Sequence, residues 1–251
     1  MTIIPVALEM YSVRKEFTEN PLATMKAIKA MGYDGVEFAG APQFCADFYA
    51  GLLKETGLVC CGWHTPWDSV QDAKIDETIK LNQAVGNPNI MIPGVPAKTA
   101  DECLATAKKF NEIANKLALY GMRTGYHNHT AEFAAVDGKT PWDIFMGNTD
   151  KRVVMQLDTG NGLAGGCDIM GTLNKYPGRC QTIHLKPYSK DPAKGFKPII
   201  GQDDCPWKEI FDFCQTKGNT EWYVIEYECP EIPALEAVKM CLDATRAMLG
   251  Y

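Results

Sequence analysis

Met122-Arg123-Thr124-Gly125-Tyr126-His127-Asn128-His129 carries the pattern from which the architecture follows. It starts directly after Gly121, a residue suited to ending a helix. A helical segment precedes it, opening at Thr99 with Asp101 and Glu102 in its first turn, where acids complement the helix dipole, and running to about Tyr120. The run itself is short, and it ends in three polar residues capable of chemistry. A helix, a glycine, a short buried strand and a polar strand end form one repeating unit of an α/β protein.

The unit recurs along the chain. Strands are expected at Val6–Tyr11, Tyr33–Phe38, Leu58–Trp63, Asn89–Pro93, Met122–His127, Arg152–Asp158, Gln181–Leu185 and Trp222–Tyr227. Most are continuous apolar runs more than strict alternations, as for parallel strands covered on both faces. Between them lie helices. Asn20-Pro21 opens one with the apolar stripe Leu22, Met25, Ile28 and Met31, and Gly32 stops it. Thr140-Pro141 opens another, Pro233 the last, which runs to Leu249, and Gly57, Gly86 and Gly218 close others. Eight such units with right-handed crossovers predict a single (β/α)8 (TIM) barrel domain spanning residues 1–251. The competing doubly wound sheet usually has a glycine-rich loop after its first strand, and Met10-Tyr11-Ser12-Val13-Arg14 has no glycine.

The charge balance narrows the partners. The chain carries a net charge of -6, and its longest lysine-bearing stretch, Lys186 to Lys197, is diluted by Asp191 and prolines. No nucleic-acid partner is expected from that surface. No run of about 18 apolar residues predicts a membrane span, and Met1–Tyr11 lacks the basic and apolar regions of a signal peptide. Ten cysteines occur without a C-x-x-C or a regular framework, which points to reduced thiols and a cytoplasmic setting.

In a barrel the chemistry sits at the carboxyl ends of the strands. The polar residues there are Glu9 and Tyr11, Glu37, His64, the run His127-Asn128-His129, Asp158, His184 with Lys186, and Glu226 with Glu228. All four histidines of the chain fall in this set, whereas random placement would put roughly a quarter to a third there. Asp158, His184 and Glu226 come from the sixth, seventh and eighth strands and can meet only at the barrel axis. Mixed nitrogen and oxygen donors suit Mn2+, Co2+, Zn2+ or Fe2+. A fourth ligand from the fifth strand is open among His127, His129 and Glu132.

At these residues the sequence resembles the sugar phosphate isomerase/epimerase family, the xylose isomerase-like barrels. The resemblance rests on Tyr126-His127-Asn128-His129-Thr130-Ala131-Glu132-Phe133, Gln156-Leu157-Asp158-Thr159-Gly160-Asn161, Tyr176-Pro177-Gly178-Arg179, Ile183-His184-Leu185-Lys186 and Trp222-Tyr223-Val224-Ile225-Glu226. It implies metal ligands at Asp158, His184 and Glu226, with Glu132 as the fourth and His127 as its alternative. Many members have Glu-Asn-His where this chain has His127-Asn128-His129, and often Asp where it has Pro187. The resemblance further implies a divalent metal, Mn2+ foremost with Mg2+ also admissible, and a small carbohydrate substrate.

The activity expected from it is isomerisation or epimerisation of a ketose or keto-sugar through an enediolate. Glu226, His127 and Glu132 are the catalytic candidates; Glu37, His64, His129 and Lys186 are the substrate contacts. Trp63 and Trp67 flank His64 and are candidates to stack on a sugar. The alternative is a lyase of the same fold, of inosose dehydratase or C-glycoside-cleaving type. Barrels of this kind often pair through their outer helices, so a homo-oligomer is compatible with the fold.

Overall fold

The structure, a computed structural model, describes residues 3–135 and 138–251. Met1 and Thr2, the start of the segment read as lacking a leader, lie outside them. Eight strands are present: β1 Val6–Glu9, β2 Gly35–Ala39, β3 Val59–His64, β4 Asn89–Ile92, β5 Arg123–His127, β6 Val154–Gln156, β7 Thr182–Leu185 and β8 Trp222–Ile225. All pair in parallel, in the order β6-β5-β4-β3-β2-β1-β8-β7. The last seam, between β6 and β7, is joined by the His184 amide donating to Leu157 O at 2.9 Å and by a parallel bridge between Asp158 and His184. The barrel is thus nearly closed, and two expected metal ligands face each other across its seam.

The strand residues are almost all buried, which explains the unbroken apolar runs. Boundaries moved where local chemistry intervened. β1 stops at Glu9 because the Glu9 carboxylate accepts the Tyr11 amide and the chain turns into a 3-10 helix, Met10–Val13. β4 stops before Pro93, which has no N–H for the ladder. Regular pairing in β6 covers only Val154–Gln156, and Asp158 follows as a helix cap.

Helices ring the barrel as their caps predict. Asn20 accepts the Ala23 amide at 3.1 Å to start Pro21–Met31, and Gly32 ends it at φ 107°. Thr99 and Glu102 form a reciprocal capping box for Ala100–Ala118, which buries Phe110, Ile113 and Leu117 against the sheet. One glycine serves the interior directly. A Cβ on Gly62 would lie 2.0 Å from Glu37 Oε1, so only glycine lets β3 pass that carboxylate. None of the helices among the described residues is long and apolar enough to cross a membrane.

Candidate active site

The alternation of a strand puts residues two apart on one face. Gln156 and Asp158 therefore point the same way, as do Thr182 and His184. Both pairs point inward, at the carboxyl end of the barrel. There, ligand-capable atoms of His127, Asp158, His184 and Glu226 lie within 4.8 Å of one another, all four buried. His184 Nδ1 is 2.7 Å from Glu226 Oε2 and 3.9 Å from Asp158 Oδ2. His127 Nε2 is 4.0 Å from Asp158 Oδ2.

Asp158 divides its two oxygens. Oδ1 accepts the Asn161 amide at 2.6 Å and caps the helix Thr159–Ala164. Oδ2 is buried with no hydrogen-bond partner, and so is His127 Nδ1. Buried polar atoms are normally satisfied. Two orphaned atoms on two members of one nitrogen and oxygen cluster are what a donor set for a divalent cation requires, so these residues fit such a group.

The electrostatics agree. Burial pushes the Asp158 carboxyl up to about 7. Burial also opposes an ionised Glu226, but Lys186 and then His184 outweigh it and hold that carboxyl well below its usual range. His184 is held well above the usual imidazole value, because Glu226 and Glu37 overcome the cost of burying its charge. His127 is pushed well below it by burial and by the neighbouring His64 and His184, and is neutral.

Behind this group lies a fully buried network. Glu37 Oε2 accepts His184 Nε2–H at 2.6 Å, and the Gln156 amide donates to both Glu37 oxygens at 3.0 Å and to Thr182 Oγ1 at 2.9 Å. Gln156 Oε1 accepts His64 Nε2–H at 2.8 Å. Glu37 thereby fixes the His184 ring and leaves Nδ1 facing Asp158 and Glu226. Asn128 ties β5 to the β6 end, accepting the Asp158 amide at 2.8 Å.

Three expected site residues fall elsewhere. Glu132 does not join the cluster: its oxygens are committed to the Tyr126 hydroxyl at 2.6 Å and the His129 amide at 2.9 Å, six and three residues away. The short 3-10 turn Ala131–Phe133 folds it back onto its own strand rather than over the axis. The fourth place in the group is taken by His127. Glu37 does not line the cavity above the cluster; it sits beneath, with no exposed surface. Trp63 is likewise buried, donating its indole N–H to Gly40 O at 2.8 Å, so it offers no stacking face.

His64, His127, His129, Lys186 and Glu226 do line that cavity, of about 740 Å3, as does Trp67. The Lys186 ammonium is engaged by Glu226, at 2.9 Å, and by Glu228. Two residues with no assigned role in the sequence reading also belong to the site, Gln156 in the buried network beneath the cluster and Glu9 on the cavity lining. Gln156 was legible in principle from its place two residues before Asp158. Glu9 lines the cavity with Oε2 buried and unpartnered, and burial together with Glu37 raises its carboxyl well above the usual range.

A model of the xylose isomerase-like TIM barrel matches residues 25–247. Among curated relatives, an inosose dehydratase of Lactiplantibacillus plantarum is 28% identical over 147 residues, covering 52% of this chain and 47% of that protein. An inosose dehydratase of Lacticaseibacillus casei is 27% identical over 172 residues, covering 60% of this chain and 57% of that protein. The chain thus spans about half the length of the curated relatives it matches. Among solved structures, a sugar phosphate isomerase/epimerase of Parabacteroides distasonis superposes with TM-score 0.82 at 20% identity, covering 99% of this chain and 94% of that one. An L-ribulose 3-epimerase superposes with TM-score 0.72 at 14% identity, covering 99% of both chains. An IolI protein with a bound zinc atom superposes with TM-score 0.75 at 13% identity, covering 98% of both chains. At these identities the likenesses speak to fold, and the family assignment rests on the matched model: the chain belongs to the xylose isomerase-like TIM barrel family.

Proposed function

We propose that the protein is a divalent-metal-dependent isomerase or epimerase of a free keto-sugar, acting by proton removal next to the carbonyl. The observation that carries this reading is the buried set His127, Asp158, His184 and Glu226 at the barrel mouth, with two of its atoms lacking any partner. These four residues would hold the cation, Mn2+ foremost. Bound there, it would supply Lewis-acid polarisation of the sugar's carbonyl and neighbouring hydroxyl.

The chain's own groups supply the rest. Glu226 is ionised, in the proton-accepting form, and lines the cavity, whereas neutral His127 would give its one lone pair to the cation. A Glu226 oxygen takes the proton from the carbon beside the carbonyl. The C–H electron pair becomes the C=C bond of an enediolate, and the carbonyl π pair moves to oxygen. Return of a proton to the other face of the same carbon gives the epimer; return to the neighbouring carbon gives the isomer. Lys186 stands against Glu226 and Glu228, and its pairing with two carboxylates supports an unphosphorylated substrate.

A second reading has one observation in its favour. With Glu132 turned away, the fifth-strand position facing Glu226 holds an imidazole and no carboxylate. A single carboxylate base suits loss of a β-hydroxyl from the same enediolate, which is dehydration, and the inosose dehydratase relatives are of that reaction class. The test for both is hydrogen exchange. Keto-sugars incubated with the protein and Mn2+ in D2O should incorporate deuterium next to the carbonyl, and Asp158→Ala should abolish it. Absence of exchange with every free ketose and inosose would defeat the proposal; exchange with loss of water would select the lyase.

A further inference from the structure

His64 is a buried imidazole that the enediolate step leaves unused. Its ring lies against the cluster, with centroids 4.4 Å from that of His127 and 5.0 Å from that of His184, and it lines the cavity. Nε2 is turned to the network beneath, 2.8 Å from Gln156 Oε1 and 3.5 Å from Glu37 Oε2. The Gln156 oxygen is a carbonyl and can only accept, so the ring hydrogen belongs on Nε2.

The Gln156 amide cannot turn over to reverse this. Its nitrogen donates to both Glu37 oxygens at 3.0 Å and to Thr182 Oγ1 at 2.9 Å. A flip would set its oxygen against the Glu37 carboxylate, acceptor against acceptor. Glu37 thus dictates, through Gln156, which nitrogen of His64 carries the hydrogen. The other nitrogen, Nδ1, lies on the far edge of the ring and has no hydrogen-bond partner among the described residues. Burial holds the ring below the usual imidazole value even with Glu37 beside it, which leaves a lone pair at Nδ1.

An enediolate has two outcomes with different needs. Epimerisation moves a proton on carbon and leaves the oxygens as they were. Interconversion of ketose and aldose must also carry a proton from the neighbouring hydroxyl to the former carbonyl oxygen. A neutral imidazole with one free nitrogen suits that task, because it begins and ends each turnover in the same form.

We propose that His64 Nδ1 carries a proton from one substrate oxygen to the other, that Gln156 is the positioning residue that keeps the hydrogen on Nε2, and that the enediolate is thereby taken to an aldose. This rests on the enediolate reading above. Glu226 takes the C–H proton; that bond pair forms the C=C bond, and the carbonyl π pair moves onto its oxygen. His64 Nδ1 takes the proton of the neighbouring hydroxyl, whose O–H pair becomes the new C=O bond. The C=C pair takes the proton back from Glu226 at the former carbonyl carbon, and Nδ1 gives its proton to the former carbonyl oxygen. Both residues are restored, and no oxidant or reductant takes part.

Two measurements test this. Wild type, His64→Asn and Gln156→Met are incubated with Mn2+ and D-fructose, D-tagatose or D-xylulose in D2O, and deuterium uptake and aldose are followed together. Wild type should convert at least one ketose to its aldose. In His64→Asn the aldose should fall about 100-fold further than the uptake does, and in Gln156→Met about 10-fold further. Nitrogen-15 NMR of the metal-free, histidine-labelled protein reads the ring directly, with the signals lost in His64→Asn assigning it. His64 should carry its hydrogen on Nε2, and Gln156→Met should bring the Nδ1–H form into view. The inference is overturned if wild type exchanges deuterium without forming an aldose, if uptake and aldose fall together in His64→Asn, or if the hydrogen sits on Nδ1 or is unmoved by Gln156→Met. Exchange without aldose leaves the enediolate reading standing, whereas no uptake with any ketose defeats that reading and this inference with it.

Discussion

Asp158 and Glu132 show how differently two carboxylates near one strand end can be used. Asp158 keeps one oxygen free in the cluster, whereas both Glu132 oxygens are satisfied locally. Asp158→Ala should weaken Mn2+ binding by at least about 100-fold, on the order of a lost metal ligand or its support. Glu132→Ala should leave the Kd within about 3-fold but cost about 1–3 kcal/mol of stability, because the Tyr126 hydroxyl and the His129 amide lose their acceptor. Calorimetric titration with Mn2+ and thermal unfolding read the two effects; the opposite pattern would return Glu132 to the ligand set. Asp158 also carries a stability cost. Its carboxyl is raised from 3.8 to about 7 on folding. Between those values the folded state holds a proton that the unfolded state has released, so this group's contribution to stability is fully present below about pH 4 and lost as pH rises through 7. At pH 8 without metal, Asp158→Asn should therefore be more stable than wild type by about 0.5–2 kcal/mol in urea unfolding. Asp158, His184 and Glu226 were legible because strand ends of a barrel converge. The placement of Glu132 and Glu37 was not, since it depends on a 3-10 turn and on a carboxylate lying against Gly62, neither of which leaves a periodic signal.

The elements were legible as units and not at their ends. Gly32, Gly57, Gly121 and the caps Asn20, Thr99 and Thr140 bracket helices as their chemistry demands. The ends of β1 and β6 escaped because side chains cut the ladder short at Glu9 and Asp158. Arg179, within the Tyr-Pro-Gly-Arg motif, is an element-scale device. It is buried and donates to Val153 O, Met146 O and Thr149 Oγ1, while its own carbonyl accepts the Met155 amide at 2.6 Å. It therefore ties β6 to the segment before β7, beside the seam that joins Asp158 to His184. Arg179→Met should leave these buried acceptors unpaired and cost about 2–4 kcal/mol, measured by chemical unfolding. A loss below about 0.5 kcal/mol would show that the seam does not depend on this clamp.

At the scale of the molecule, the barrel brings four donors from four strands to one point and leaves their charges dependent on protons. His184 lies between two carboxylates and is held protonated, and Asp158 is neutral below about pH 7. A cation must displace those protons. Mn2+ affinity should therefore rise with pH, by about 10-fold or more between pH 6 and 8, with proton release visible in buffers of different ionisation enthalpy. An affinity flat across that range would contradict the charge states described.

The position of the cation itself distinguishes this account from its rivals. Crystals grown with Mn2+ and measured at the manganese absorption edge should show one anomalous peak at the mouth, within about 2.0–2.4 Å of His127, Asp158, His184 and Glu226. A peak coordinated by Glu132 in place of His127, or no peak among these residues at saturating Mn2+, would contradict it.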